Sequence, residues 1–366
     1  MPYGAWSLDD SPSTYVRPRT EAHEGIGHPA RMTPPTLPLS SSEHDGLAAL
    51  GRSLRAAGYR FTTVTPATHR RVNNRPENAW ASDLRGVLGW SRPYRCGTLP
   101  GDVEAQLRAA GLLCPVDGDG NDLDDEAAAP AGWRSRVRAS TIGANLYFHS
   151  AWPTSSEDAV FFGPDTYRYA AALKRTLGPQ GGLRRPVRRA VDIGAGAGPG
   201  AIELALRRPD ATVYAADINA AALALAATNA AVNDAHNVVP CHSDLLDGID
   251  GGLDLVMSNP PYILDPDELT YRHGGGKHGA ELSIRIVNTA LDRLHPGGSL
   301  LLYTGVAIVD GADPFLDAIR ARLDADTDAW SYEELDPDIF GGQLGCEGYE
   351  RVERIAAVWL QAVKRG

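Results

Sequence analysis

The chain has 366 residues, 43% of them hydrophobic, and a formal net charge of −11. That length allows two domains and a sizeable core. The acidic balance argues against a chain built to grip nucleic-acid phosphates. Cys96, Cys114, Cys241 and Cys346 are scattered without close pairs, which fits neither a zinc site nor a disulfide framework. No run approaches about 18 apolar residues and no apolar signal segment opens the chain, so a cytoplasmic protein is expected.

Residues 1–44 are rich in Pro, Ser, Thr and Gly and read as a disordered leader. A smaller domain is expected over 45–155, mostly helical with one β-hairpin, serving as a substrate-binding module or lid. Leu47, Leu50, Leu54 and Ala57 recur at helical spacing, and Gly58 is placed to stop that helix. Two more helices are expected over 80–88 and 103–112, then an acidic, alanine-rich loop over 117–131. Residues 134–149 alternate around Gly143 and predict the hairpin. Charge is uneven along the chain. Residues 46–100 carry nine arginines against two acids, whereas 101–132 carry eight acids and one arginine. The arginines are interleaved with Tyr59, Phe61, Trp80, Trp90 and Tyr94, so RNA contact is a reading open to this stretch. A solvated helical surface is the plainer one.

A helix over 166–177 leads into a domain, 156–366, where strand and helix alternate. Strands are predicted near 187–193, 212–217, 237–241, 253–258, 299–305, 327–333 and 354–361. Helices are predicted near 199–208, 219–232, 280–295 and 312–323. The pattern implies an α/β fold with a mostly parallel sheet covered on both faces. The first strand runs into Gly194-Ala195-Gly196-Ala197-Gly198-Pro199, and Pro199 sits where a helix can begin. The second ends in Asp217, where a carboxylate can hold ribose hydroxyls. Gly196-x-Gly198-x-x-Ala201 also fits a loose dinucleotide fingerprint, so the glycines alone leave a nicotinamide enzyme open.

The fourth strand, near 253–258, ends in Asn259-Pro260-Pro261-Tyr262. Two prolines cannot continue a sheet. The chain therefore leaves with an amide, a proline carbonyl and an aromatic ring at the strand's C-terminal edge. Two acceptors beside a flat surface suit a planar N–H₂ group: an amide, a base amine or a guanidine. A nicotinamide enzyme has no use for this tetrapeptide, and a mere nucleoside binder has no use for its amide. His273 and His278 flank a glycine loop and read as loop residues.

Taken together, residues 160–361 resemble a class I S-adenosylmethionine-dependent methyltransferase of the Asn-Pro-Pro-Tyr type. Phe162-Gly163-Pro164-Asp165-Thr166 and the glycine loop from Gly274 to Leu282 resemble the release-factor glutamine N5-methyltransferase branch, although Gly163 stands where that branch carries arginine. The resemblance implies a seven-stranded Rossmann-like sheet of order 3-2-1-4-5-7-6, its seventh strand antiparallel. It implies S-adenosylmethionine as methyl donor, S-adenosylhomocysteine as product, and no metal. The implied cofactor site is Asp192, Gly194, Ala195, Gly196, Gly198, Asp217, Ile218, Asp244, Leu245 and Asn259. Asn259, Pro260 and Tyr262 would act on the acceptor nitrogen. Pro261, Tyr262, Phe162, Tyr167 and Glu281 would line the acceptor site. The acceptor ranked first is a protein glutamine amide. A free amide, amine or guanidine ranks second, and an adenine third. From residue 187 onward 14 basic side chains face 27 acidic ones, which weighs against a nucleic-acid acceptor.

Overall fold

The computed structural model describes residues 41–123, 129–154, 156–178, 182–264 and 273–366, all within one compact unit. Most of the expected leader and residues 124–128 of the acidic loop lie outside that set. Residues 41–44 form the first turn of helix α1, Ser41–Ala56. Leu47, Leu50 and Leu54 face inward from it, and Gly58 follows its end in the left-handed region. Helix α2, Pro66–Asn73, was not anticipated, although Thr65 accepts a hydrogen bond from the Thr68 N–H and Pro66 stands at its first turn. The helix expected over 80–88 is only α3, Leu84–Leu88, because the Asp83 carboxylate caps it by accepting from the Gly86 N–H at 2.7 Å. Helix α4 spans Gly101–Ala109.

Two antiparallel pairs follow. Strands β1, Leu113–Val116, and β2, Gly132–Ser135, form a pair that sequence did not signal. Strands β3, Val137–Ile142, and β4, Asn145–Ser150, form the expected hairpin, with Gly143 at φ +62° in its turn.

Helix α5, Pro164–Leu177, precedes the main sheet. In chain order the sheet contains β5 (Arg189–Ile193), β6 (Thr212–Asp217), β7 (Val238–His242), β8 (Leu253–Ser258), β9 (Leu294–Val309), β10 (Thr327–Asp336) and β11 (Val352–Lys364). The spatial order is β7-β6-β5-β8-β9-β11-β10, which is the expected 3-2-1-4-5-7-6. Strand β11 runs antiparallel to both neighbours, and the other pairings are parallel. The Pro296-Gly297-Gly298 turn expected before the fifth strand falls inside β9 as an irregularity in its pairing with β8. Helices α6 (Pro199–Ala205), α7 (Ala220–Val232), α8 (Glu281–Arg293) and α9 (Pro314–Asp326) complete the domain.

Alternate residues of each strand enter opposite cores. Ala190, Val213, Leu255 and Leu301 join Leu173, Ile202 and Leu225 on one face. Val191, Val256 and Leu300 join Ile286, Leu291 and Ile319 on the other. Strand β4 is fastened to α7 by two asparagines one helical turn apart. Asn229 accepts from the Phe148 N–H at 2.7 Å and donates to the Phe148 carbonyl at 2.9 Å. Asn233 does the same for Leu146, at 3.0 and 2.7 Å. These side chains replace the partner strand that β4 lacks on that edge, which offsets the cost of burying its backbone polar groups. Asn229 also donates to the Ala197 carbonyl at 2.8 Å, so the hairpin and the glycine-rich turn share one anchor.

Candidate functional site

The glycine-rich turn leaves β5 with Gly194, Gly196 and Gly198 all at positive φ, a conformation glycine adopts without steric cost. A Cβ at Gly194 would meet no atom within 4 Å, so bare backbone faces an open cleft there. Ala195 and Ala197 are buried behind it. The end of β6 lies alongside. Asp217 accepts from the Gly196 N–H through Oδ2 and from the Asn219 N–H through Oδ1, both at 2.9 Å. The Ile218 N–H is a further backbone donor to this carboxylate, so the chain itself fixes its orientation. Burial pushes this carboxyl above its ordinary range, against the pull of its N–H donors. The neighbouring Ile218 is 51% exposed. Asp244 lies at the surface with Arg285 at 3.5 Å, and Leu245 beside it has positive φ.

Asp192 sits beneath the turn rather than in it. It is 1% exposed, accepts from the Tyr169 hydroxyl at 2.7 Å, and accepts from the Ala201 N–H at 2.9 Å. Burial pushes its carboxyl up to about 7. Gly200 makes this possible, since a Cβ there would lie 2.4 Å from Asp192 Oδ2 and 2.6 Å from the Tyr169 hydroxyl. Sequence reasoning missed Tyr169 and Gly200. Only the extra glycine after Pro199 signalled them.

Asn259 and Pro260 leave the C-terminal end of β8, directly beyond the fully buried Ser258. Asn259 is half-buried. No described residue hydrogen-bonds its side chain or the Pro260 carbonyl. Two acceptors at a sheet edge are thus without a donor among the described residues. Tyr262 is 8% exposed, and a Cβ on Gly305 would lie 2.3 Å from its ring. Burial first, and the nearby Asp165 carboxylate second, keep its hydroxyl from ionising. Asp165 accepts from the Tyr303 hydroxyl at 2.6 Å and from Arg168 at 3.1 Å, and Arg168 reaches Asp336 of β10 at 2.8 Å. Residues near the start of α5, the tetrapeptide and strands β9 and β10 therefore meet at one buried carboxylate. Sequence reasoning had Asp165 only as part of a family-like segment.

The glycine loop closes against the same segment. Gly274 N–H donates to the Ile263 carbonyl at 2.9 Å, and a Cβ on Gly279 would fall 2.3 Å from the Tyr262 carbonyl. Glu281 is exposed and lies against Gly275 and Gly276. Pro261 is half-buried between Pro260 and Tyr262. Phe162 and Tyr167 point elsewhere. Phe162 is buried and stacks on His149 at 4.9 Å, with Tyr147 at 5.7 Å. The Tyr167 hydroxyl accepts from the Thr63 N–H at 2.9 Å. Both join the N-terminal helices and hairpin to α5. His278 lies at positive φ, 6.2 Å from Tyr349. Among the described residues no His, Cys, Asp or Glu group is arranged to hold a metal, and no helix is long and apolar enough to cross a membrane.

Comparison with known proteins gives one consistent picture. Residues 172–307 match the family model of the methyltransferase small domain. The chain is similar to the release factor glutamine methyltransferase of Lactococcus lactis, 35% identical over 31% of this chain and 46% of that protein. It is similar to the protein of the same name from Deinococcus radiodurans, 36% identical over 31% of this chain and 44% of that one. It is also similar to the ribosomal protein uL3 glutamine methyltransferase of Neisseria meningitidis, 34% identical over 32% of this chain and 43% of that one. The chain spans somewhat less than half the length of these curated relatives.

Proposed function

We propose that the protein transfers a methyl group from S-adenosylmethionine to a planar nitrogen, most specifically the side-chain amide of a glutamine in a protein of the translation apparatus. The observation that carries this reading is the pair of acceptors, Asn259 and the Pro260 carbonyl, that no described residue bonds, at the sheet edge next to the glycine-rich turn. The cradle fits the donor: bare backbone at Gly194, a carboxylate oriented by backbone N–H groups at Asp217, and the exposed apolar Ile218. Asp217 would hold the ribose hydroxyls, Ile218 and Leu245 would flank the base with Asp244 toward its amine, and Gly194 to Gly198 would carry the amino-acid end. When bound, S-adenosylmethionine supplies an electrophilic methyl on a sulfonium.

The protein's own task is alignment. An amide nitrogen attacks poorly because its lone pair is delocalised. Asn259 Oδ1 and the Pro260 carbonyl accept its two N–H bonds, which fixes the nitrogen and favours its rehybridisation in the transition state. These acceptors are preorganised. Tyr262 is buried with its ring over Gly305, and the glycine loop packs against the tetrapeptide through Gly274 and Gly279. No strong base is needed, because the N–H becomes acidic once the methyl is attached. The uneven charge beyond residue 187 suits a protein loop better than a phosphate backbone.

The test is a labelled-methyl assay with three separate acceptor pools: purified release factor, a small-metabolite extract, and RNA. The reading expects label in a glutamine of the protein pool. Label in the metabolite pool alone would move the acceptor to a free small molecule, and label in RNA would overturn the amide assignment.

A further inference from the structure

Tyr262 offers little surface to a ligand, since it is 8% exposed and its ring covers Gly305. A second aromatic ring stands against it. Phe340 lies 5.9 Å from Tyr262 in an edge-to-face arrangement and is 39% exposed. It is one of the few large apolar side chains so exposed among the described residues. Its backbone is left-handed, at φ +56° and ψ +34°. A bulky L-residue occupies that region only at a steric cost, and Gly341 and Gly342 follow immediately, where glycine would adopt it freely. Strain at an exposed aromatic beside a candidate site is a burden on stability that packing alone does not reward.

The surroundings hold Phe340 in place. Ile339 is buried and its N–H donates to the Ile355 carbonyl of β11 at 2.7 Å. Gln343 N–H donates to the Phe340 carbonyl at 2.7 Å. The Gln343 side chain donates to the Leu264 carbonyl at 2.9 Å, and the Tyr349 hydroxyl accepts from the Leu264 N–H at 2.9 Å. The β10–β11 connection is thus bonded at both polar groups of Leu264, two residues beyond Tyr262, and carries Phe340 to the tetrapeptide.

We infer that Phe340 is a specificity-determining wall of the acceptor site, packing against the methylene stem of the side chain whose amide Asn259 and Pro260 receive. This rests on the functional reading above. The stem of a glutamine is apolar while its head is planar and polar, so a site that takes it needs an apolar face next to two acceptors.

The experiment compares the wild-type chain with Phe340→Ala and Phe340→Gly. It measures KM and kcat for purified release factor, Kd for S-adenosylhomocysteine, and Tm. Both variants lose the ring, and only glycine relieves the left-handed backbone. Both should raise KM for the acceptor by about 3- to 10-fold, the range of a lost aromatic packing contact, with Kd for S-adenosylhomocysteine unchanged. The glycine variant should have the higher Tm of the two, reversing the usual order, because alanine keeps the strain. If KM is unchanged in both variants, the inference is overturned while the functional reading stands. If KM recovers in Phe340→Gly along with Tm, Phe340 is a structural prop and the inference is likewise overturned. If the wild-type chain binds S-adenosylhomocysteine but methylates no glutamine in release factor or ribosomal protein, the glutamine assignment falls and takes this inference with it.

Discussion

Asp192→Asn should change how stability depends on pH, in a direction the structure dictates. Asp192 is buried, and that burial pushes its carboxyl from 3.8 up to about 7, against the pull of Tyr169 and the Ala201 N–H. The folded chain therefore keeps this proton to near neutrality, while the unfolded chain releases it near 3.8. Between those values the folded state binds one more proton, so Asp192's contribution is fully present below about 4. It is lost as pH rises towards 7. At 1.36 kcal/mol per pH unit the loss is roughly 4 kcal/mol. Two buried histidines work the other way. Burial pushes His69 down to about 3 and His149 well below its ordinary value, so their contributions are lost as pH falls. Asp217, raised by burial, adds to the slope of Asp192. The wild-type profile is thus a composite, and the variant isolates one member. Asparagine matches the shape of aspartate and does not titrate. Its oxygen can accept from the Ala201 N–H while its amide donates to the Tyr169 oxygen. Urea unfolding of both chains from pH 4 to pH 8 should show the variant gaining on the wild type by up to roughly 4 kcal/mol across that window. A difference that stays flat with pH would refute the assignment of a protonated Asp192 beneath the turn.

Other consequences are simpler to measure. Asp217→Ala should weaken S-adenosylhomocysteine binding by about 1–3 kcal/mol in calorimetry, since charged hydrogen bonds are lost; unchanged affinity would remove Asp217 from the cofactor site. Tyr262→Phe should lower stability to chemical denaturation by no more than about 1.5 kcal/mol, since the hydroxyl it removes is buried beside Asp165. Methyl transfer should survive that change, and its abolition would give the hydroxyl a chemical role. Activity towards a protein acceptor should vary only weakly with salt. A fall of about 10³-fold between 50 and 200 mM would instead indicate some six or more phosphate contacts.

The main sheet was readable because its buried strands carry apolar runs such as Leu255-Val256-Met257, bounded by turns. The strand order followed from resemblance, not from those runs. The Asn259-to-Tyr262 tetrapeptide stands out in the sequence because two prolines at a strand end have few structural uses. What escaped was long-range. Tyr169 and Asp192 lie 23 residues apart in the chain, and periodicity says nothing of their bond. The β1–β2 pair is short and contains Pro115, so it lacks a clean alternation. Asn229 and Asn233 did leave a trace, as two poor helix formers in an alanine-rich helix. That trace shows something is bonded there without showing that it is the edge of a hairpin. The left-handed backbone of Phe340 has no signature at all, because the glycines that favour it stand one place later. Phe162 and Tyr167, assigned to the acceptor site by resemblance, respectively pack on His149 of the hairpin and accept from Thr63 ahead of α2, long-range contacts that periodicity does not reveal.

The most direct test of the account is Asn259→Ala, assayed for both ligand binding and methyl transfer. The amide lies at the sheet edge with no described residue bonded to it, so its loss disturbs little of the fold. S-adenosylhomocysteine affinity by calorimetry should stay near that of the wild type. Label transfer from S-adenosylmethionine to glutamine in purified release factor should fall by about 10²–10³-fold, the usual effect of removing a transition-state hydrogen-bond partner. Near-normal transfer by Asn259→Ala would contradict the account, since the tetrapeptide would then be a structural turn and not a receptor for a planar nitrogen.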